Sequence, residues 1–150
     1  IYPMSMISAL PLLQKAGKRD FGPHIFFCSP DKGGKRRTGI QGMEKKRQNS
    51  YSSMMRTPQE LRKSIKSKVV AVVDDLLETG GTLERFFREC KKYGAKKIIA
   101  LVTHGVLESG IKRTKKTYAK LYLTNTINQK EANIDMTGLI KESLLKSENG

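Results

Sequence analysis

The sequence predicts an α/β domain, built on a mostly parallel β-sheet that is flanked by helices. Three short runs rich in valine or isoleucine, at residues 24–28, 69–73 and 97–103, have the composition of strands buried on both faces. Helical periodicity separates most of them, and this alternation is typical of a parallel sheet with helical crossovers. With 150 residues, of which 37% are hydrophobic, the chain is long enough for one such domain and short for two. We therefore interpret residues 1–150 as a single domain.

A fourth, weaker strand is predicted at residues 119–124. The best-defined helix follows the second strand, where apolar side chains recur at i, i+3, i+4 and i+7. Gly94 comes after the last periodic turn and is a natural C-terminal stop. The apolar face of this helix consists of Leu83, Phe86, Phe87 and Cys90.

Two further segments complete the predicted organisation. A last helix should start near Thr137, which would serve as its N-cap. Its inward-facing side chains should be those of Ile140, Leu144 and Leu145. Residues 32–57 contain glycine, lysine, arginine, serine and methionine with no clear period, so we expect a long, mobile basic loop there.

The composition excludes several classes of protein. No apolar run approaches the roughly 18 to 20 residues that a membrane span needs, so no membrane partner is expected. The apolar residues 1–13 lack a basic leading region and a small-residue cleavage site, so we do not interpret them as a signal peptide. Cys28 and Cys90 have no metal-ligand neighbours at suitable spacing, and we predict that both are core residues of a cytoplasmic protein.

The net charge is +15, and it is unevenly distributed. Residues 32–68 carry twelve basic residues against two acidic ones, Glu44 and Glu60. A polyphosphate ligand and nucleic acid would both fit this charge, and a solvated basic face needs no partner at all. Nucleic acid is the less favoured partner because no recognition motif or aromatic platform accompanies the charge.

A pair of carboxylates and a glycine-rich loop form the most specific motif. Asp74 and Asp75 follow the apolar run 69–73, at the carboxyl end of a central strand, where open α/β sheets bind ligands. The loop before the next helix contains Thr79, Gly80, Gly81 and Thr82. Paired carboxylates can accept hydrogen bonds from vicinal hydroxyls or hold hydrated magnesium, and glycine N–H groups at a helix N-terminus suit a phosphate. A sugar phosphate meets both demands. The alternative is an ordinary strand-to-helix connection, in which Asp74 and Asp75 cap a turn that Gly80 and Gly81 tighten.

The ordered set of apolar strand, Asp-Asp pair, Glu78, Thr-Gly-Gly-Thr loop and amphipathic helix resembles the phosphoribosyl-binding signature of type I phosphoribosyltransferase folds. Three further segments resemble ribose-phosphate diphosphokinase, also called phosphoribosyl diphosphate synthetase. They are Ser29-Pro30-Asp31-Lys32-Gly33-Gly34, Thr103-His104-Gly105 and Thr124-Asn125-Thr126-Ile127. The resemblance is to the second domain of that family, and it covers most of the chain from Ile1 onwards.

This resemblance implies transfer of a diphosphate from magnesium-ATP to the C1 hydroxyl of ribose 5-phosphate, which gives phosphoribosyl diphosphate and AMP for nucleotide biosynthesis. It implies that Asp74 and Asp75 hold the ribose hydroxyls and that the loop at residues 79–82 holds the 5-phosphate. Mg²⁺ would come with the phosphates of the substrate, with Asp31 and Asp74 as indirect ligands. A homo-oligomer, or an assembly with related subunits, is implied as well.

The resemblance also assigns roles to two basic or glycine-rich segments. Asp31, Gly33 and Gly34 would form the loop that binds the diphosphate. Lys45 and Arg47 match the spacing of a Lys-x-Arg pair that the family carries on a mobile loop, where the cations would neutralise charge that develops during phosphoryl transfer. Solvated loop charge is the alternative interpretation of these two residues.

Two departures from the family pattern keep other functions open. The first domain of the family, which supplies part of the nucleotide and metal site, has no counterpart in these residues. Only seven residues separate Arg37 from Lys45, where the family has a helix and a strand, so the assignment of Lys45 and Arg47 depends on that interval. The alternatives are a phosphoribosyltransferase, although no base-recognising hood segment is evident, and a non-catalytic regulatory subunit of a diphosphokinase.

Overall fold

A computed structural model describes residues 6–31, 33, 36, 38–47 and 53–148 of the protein. The elements in these ranges are, in chain order, α1 (Leu10–Phe21), β1 (Ile25–Cys28), β2 (Glu44–Arg47), β3 (Ser53–Arg56), α2 (Gln59–Ile65), β4 (Val69–Leu77), α3 (Gly81–Lys92), β5 (Lys97–Gly105), α4 (Glu108–Thr117), β6 (Lys120–Leu123) and α5 (Thr137–Glu148). All four predicted strands are present.

Four strands form one parallel sheet in the order β1-β4-β5-β6, and β2 and β3 form a separate antiparallel pair. The two long central strands, β4 and β5, pair from Val69 opposite Lys97 to Leu77 opposite Gly105. Helices α2, α3 and α4 lie on the connections between successive strands of the parallel sheet, as crossover connections require, and α1 precedes its first strand. The predicted α/β class with a mostly parallel sheet is therefore confirmed.

Helices cover both faces of the sheet because successive side chains of a buried strand point to opposite sides. Val70 and Val72 pack with Phe86 of α3 on one face. Ala71 packs with Leu13 of α1 on the other. The sheet is therefore the middle layer of the domain, and its carboxyl edge stays open between the two layers of helices.

The predicted central helix is confirmed as α3, which ends at Lys92, two residues before Gly94. Gly94 has a φ of 76°, a left-handed conformation that favours glycine after a helix. Cys28 and Cys90 are both buried free thiols, as expected of core residues, and burial raises the pKa of Cys28 to about 12. No helix in the described part of the chain combines the length and the apolar composition that crossing a bilayer requires.

The prediction of an irregular loop over residues 32–57 was wrong where the structure forms a hairpin. Strands β2 and β3 pair in antiparallel register, with Glu44 opposite Arg56. Met43 and Met55, at 0% and 5% exposure, insert into the hydrophobic core that also contains the α3 side of the sheet. Burial of these methionines therefore holds a segment whose local sequence shows no strand pattern. Residues 32, 34, 35, 37 and 48–52 lie outside the described part of the chain.

The last helix is present, but its predicted packing was wrong. Exposure is 39% for Ile140, 60% for Leu144 and 50% for Leu145, so these side chains do not enter the core. The helix is anchored at its start, where Met136 is 3% exposed. Thr137 is the first helical residue rather than the N-cap, and its N–H donates to Asp135 Oδ1 at 3.0 Å.

Candidate functional site

The two predicted carboxylates lie at the carboxyl edge of the sheet, inside strand β4 rather than directly after it. The strand extends to Leu77, and Asp74 pairs in register with Val102 of β5. Since side chains alternate along a strand, Asp74 lies on the α3 side of the sheet and Asp75 on the α1 side. Both carboxylates are partly buried. This edge can therefore present acceptors to a ligand from two directions.

The glycine-rich loop turns the chain from β4 into α3. Gly80 has a φ of 79°, which a residue with a Cβ rarely adopts, and Gly81 is the first residue of the helix. The Gly80 carbonyl accepts the first helical hydrogen bond, from the Glu84 N–H at 2.9 Å. The N–H groups of the first helical turn have no acceptor inside the helix, so they are available to an anion.

One cavity of about 170 Å³ joins the carboxylate and the loop. Its lining contains Asp74, Thr79, Gly80, Gly81 and Thr82, which are five of the six residues predicted to bind the sugar phosphate. Asp75, the sixth, lines an adjacent cavity of about 210 Å³. Asp74 borders both cavities, so the predicted site is contiguous.

Electrostatics at this edge centre on Asp74. The pKa of its carboxyl is raised from 3.8 to about 7, mainly by burial and to a smaller extent by the negative charge of Asp75, a side-chain hydrogen bond with Asp75 and the charge of Asp31. The Asp75 N–H donates to Asp74 Oδ1 at 3.1 Å and partly opposes the rise. The charge of Asp31 acts on Asp74, which indicates that the predicted diphosphate segment begins near the two carboxylates.

The segment after β1 is held in place by backbone contacts with residues 41–43. The Ser29 N–H donates to the Gln41 carbonyl at 2.8 Å, and the Met43 N–H donates to the Ser29 carbonyl at 3.0 Å. A Cβ on Gly42 would lie only 2.5 Å from the Asp31 carbonyl oxygen, so this close approach requires glycine. Gly33 follows within the described residues, whereas Gly34 lies outside them.

The predicted catalytic cations lie on β2. In the hairpin, Lys45 pairs with Met55 and Arg47 pairs with Ser53. Only the backbone of Lys45 and Arg47 belongs to the described part of the structure, and their side chains lie outside it. Their role over the transferring phosphates stays a prediction.

The donors at the edge fit a magnesium ion that is held mainly by its substrate. Within the described ranges, no group of three or more His, Cys, Asp or Glu side chains is placed to hold a metal. Mg²⁺ commonly uses one or two carboxylates and takes its remaining ligands from phosphates and water. Asp31 and Asp74 could supply oxygen donors of this kind, and their indirect role toward a metal stays a prediction.

Sequence reasoning missed Gly110, which lies in the first turn of α4 against the backbone that leads into the glycine-rich loop. A Cβ at Gly110 would overlap the Glu78 carbonyl oxygen and would lie 3.0 Å from the carbonyl carbon of Thr79. Thr114 Oγ1 donates to the Gly110 carbonyl at 2.9 Å and holds this turn. No local pattern signals such a contact, because it joins two segments that are thirty residues apart in the chain.

Two of the segments that carry the resemblance meet at the same edge. His104 Nδ1 lies 2.8 Å from Thr126 Oγ1. Thr126 Oγ1 and Thr124 Oγ1 both donate to the Thr103 carbonyl, at 3.0 Å and 2.6 Å. Thr103 lines the cavity that contains Asp75. These hydrogen bonds therefore tie the loop after β6 to the wall of the candidate site.

Comparison with known proteins agrees with this geometry. Residues 5–138 match the family described as phosphoribosyl transferase domain. Ribose-phosphate pyrophosphokinase of Pyrococcus furiosus is 36% identical over 110 residues, which cover 67% of this chain and 39% of that protein. Ribose-phosphate pyrophosphokinase A of Dictyostelium discoideum is 32% identical over 142 residues, covering 86% of this chain and 43% of that protein. A crystal structure of phosphoribosylpyrophosphate synthetase from Mycobacterium smegmatis has a TM-score of 0.66 at 21% identity and covers 93% of this chain and 50% of its own.

The chain belongs to the phosphoribosyl transferase domain family, because the family match spans most of its length and the parallel sheet carries the expected loop. Within that family it is similar to ribose-phosphate pyrophosphokinases, the enzymes also called ribose-phosphate diphosphokinases, which confirms the resemblance predicted from the motifs. The chain spans less than half of the length of these curated relatives.

Proposed function

We propose that this chain is the ribose 5-phosphate-binding part of a ribose-phosphate diphosphokinase, which transfers diphosphate from magnesium-ATP to the C1 hydroxyl of ribose 5-phosphate. The observation that carries the proposal is the contiguity of a carboxylate and a phosphate-type loop in one cavity, formed by Asp74 and residues 79–82. A phosphorylated pentose has hydroxyls and a phosphate at opposite ends. The carboxylate of Asp74 would accept hydrogen bonds from the hydroxyls, and the N–H groups of the loop would donate hydrogen bonds to the phosphate.

In the proposed mechanism, the main role of this chain is to orient ribose 5-phosphate. Ionised Asp74, together with Asp75, accepts hydrogen bonds from the ribose hydroxyls, while Thr79, Thr82 and the loop N–H groups hold the 5-phosphate. Anchoring both ends of the sugar fixes the C1 hydroxyl for attack on the β-phosphorus of ATP, and AMP leaves. Such positioning is a large share of catalysis in phosphoryl transfer, where the protein does little covalent chemistry.

The remaining parts of the proposed site act on the diphosphate. Asp31, Gly33 and Gly34 would line the path of the diphosphate, and Lys45 and Arg47 would offset its negative charge. Magnesium, when bound through Asp31, Asp74 and the phosphates, would neutralise phosphate charge. We also propose that the whole protein assembles into oligomers, as a homo-oligomer or with related subunits.

The binding half of the proposal is tested by titrating this chain with ribose 5-phosphate in a calorimeter in the presence of magnesium. Asp75→Asn should weaken binding at least tenfold, since hydrogen bonds to a charged group contribute about 1.5 to 3 kcal/mol. Asp135→Asn is the matched control, because Asp135 bonds to Thr137 and Asn125 near the start of α5. Equal affinities for the wild type and Asp75→Asn would contradict the proposed site.

The catalytic half is tested on the longer protein that contains this chain, by following AMP formation from ATP and ribose 5-phosphate. Formation of AMP supports a diphosphokinase. Consumption of phosphoribosyl diphosphate with a purine or pyrimidine would instead identify a phosphoribosyltransferase. Absence of both activities, with co-purification of an active diphosphokinase, would identify a regulatory subunit.

A further inference from the structure

The cavity proposed for the 5-phosphate has an unfavourable electrostatic lining. Its charged lining residues are Asp74 and Glu78, and no lysine or arginine is among the lining residues in the described part of the chain. A phosphate dianion beside two carboxylates loses affinity unless a cation compensates for them. The N–H groups of the loop and the start of α3 carry only partial positive charge. A full positive charge near the loop would therefore matter for binding.

Arg85 is placed to supply this charge. It lies four residues after Gly81 on α3, so the two positions share one face of the helix. Helical side chains lean toward the N-terminus, and Gly81 has no side chain to occupy the space over the first turn. Arg85 Nη1 lies 3.9 Å from the position that a Cβ on Gly81 would take, and Thr79 Oγ1 lies 3.7 Å from the same position. The guanidinium group therefore lies beside the phosphate loop.

The neighbouring carboxylates of α3 are engaged elsewhere. Glu84 forms ion pairs with Arg88 and with Arg113. Glu89 accepts a hydrogen bond from Thr57 at 3.0 Å and lies 4.0 Å from Lys92. Across the residues that the structure describes, Arg85 forms no ion pair, so its charge is not neutralised before a ligand arrives.

We propose that Arg85 binds the 5-phosphate of the sugar ligand and so selects phosphorylated over unphosphorylated pentose. This inference rests on the proposed function and adds to it a residue outside the Thr-Gly-Gly-Thr loop. The guanidinium group can donate two parallel hydrogen bonds to phosphate oxygens. Its charge offsets the repulsion from Glu78 and Asp74. Arg85 is a binding and specificity residue, with no part in the transfer of the diphosphate.

The test compares Arg85→Ala, Arg85→Lys and Arg88→Ala for binding of ribose 5-phosphate and of ribose, at fixed salt, pH and magnesium. Arg88 is a matched control, since it is an exposed arginine on the same helix that pairs with Glu84. Arg85→Ala should weaken ribose 5-phosphate binding about tenfold to a hundredfold and change ribose binding less than about twofold. Arg85→Lys should keep part of the affinity, and Arg88→Ala should have less than about a threefold effect.

The possible failures separate the two proposals. If the wild type binds ribose 5-phosphate and Asp75→Asn weakens the binding at least tenfold, but Arg85→Ala has no more effect than Arg88→Ala, then the assignment of Arg85 is overturned and the proposed function stands. If Arg85→Ala weakens ribose binding as much as ribose 5-phosphate binding, selection of the phosphate by Arg85 is overturned. If the wild type binds neither sugar, the proposed function fails, and the assignment of Arg85 fails with it.

Discussion

The proposed binding of a sugar and the stability of the fold favour different protonation states of Asp74. Burial, the charge and hydrogen bond of Asp75 and the charge of Asp31 raise the pKa of this carboxyl from 3.8 to about 7. In the pH interval between these two values, the folded protein holds a proton that the unfolded chain has released. The stabilisation from this proton is fully present below pH 4 and is lost as the pH rises through about 7. Ionised Asp74 therefore lowers the stability of the protein at the pH at which we propose that it binds a sugar.

Asp74→Asn should remove this penalty. The gain in the free energy of unfolding over the wild type should be larger at pH 8 than at pH 5 by about 2 to 3 kcal/mol, because the shifted group titrates between these pH values. Urea unfolding at both pH values measures it. In Asp135→Asn the change should be equal at the two pH values, since hydrogen bonds from Thr137 and Asn125 lower the pKa of Asp135. A gain for Asp74→Asn that does not depend on pH would contradict the argument.

The glycine-rich loop at residues 79–82 depends on α4 as well as on α3. The first turn of α4 lies against the backbone of residues 78–80, and the contact leaves no room for a Cβ at Gly110. A Cβ at Gly80 would in turn lie 3.3 Å from the Gly110 carbonyl oxygen. The two glycines thus let a helix end and a loop approach each other closely. We infer that α4 fixes the shape of the loop that lines the cavity.

Gly110→Ala should therefore destabilise the protein, although alanine normally favours a helix over glycine. Overpacking costs about 1 to 3 kcal/mol, which exceeds the gain of roughly 0.5 to 1 kcal/mol expected from the helix. Gly138→Ala in the first turn of α5 is the matched control, since a Cβ there meets nothing within 4 Å. Urea unfolding should give opposite signs for the two variants. If both substitutions stabilise the protein, the backbone of residues 78–80 shifts at little cost to accommodate the new Cβ, and α4 does not fix the loop.

Elements that depend on local sequence could be predicted, and those that depend on distant contacts could not. The strands β1, β4 and β5 and the helix α3 have apolar patterns that identify them without their neighbours. The hairpin of β2 and β3 has no such pattern, because its stability depends on Met43 and Met55 reaching the core. The prediction also assigned no helix to residues 10–21, although Pro11 in the first turn and Gly22 after the last are helix-boundary signals.

The candidate site shows the same division. Asp74 and Asp75 and the loop at residues 79–82 lie within nine consecutive positions, so the sequence alone indicates that they act together. Gly110 is joined to the loop only by the packing of α4, which no single segment encodes. The spacing of Arg85 from Gly81 was a usable signal, since residues four apart on a helix are neighbours.

The topology of the whole domain concentrates positive charge at the edge of the sheet opposite the candidate site. Helices α1 to α4 run back along the sheet, so their C-termini lie beside the N-terminal ends of the strands. Basic residues occupy these positions. They are Lys18, Arg19, Arg62, Lys63, Lys68, Lys91, Lys92, Lys96, Lys97, Lys115, Lys116 and Lys120. Cations near helix C-termini are favourable one by one, but together they repel.

Reversing one charge at this edge should stabilise the domain at low salt. Lys96 lies among like charges, since its N–H donates to the Lys68 carbonyl at 2.8 Å and Lys97 follows it. We expect Lys96→Glu to raise Tm by on the order of 1 to 2 °C at about 20 mM salt, and the gain should fade near 0.5 M salt as screening shortens the reach of each charge. Lys112→Glu changes the net charge equally but replaces a 2.7 Å ion pair with Glu108 by repulsion, so it should lower Tm. Equal shifts in the two variants would mean that net charge alone, and not its concentration at one edge, governs stability.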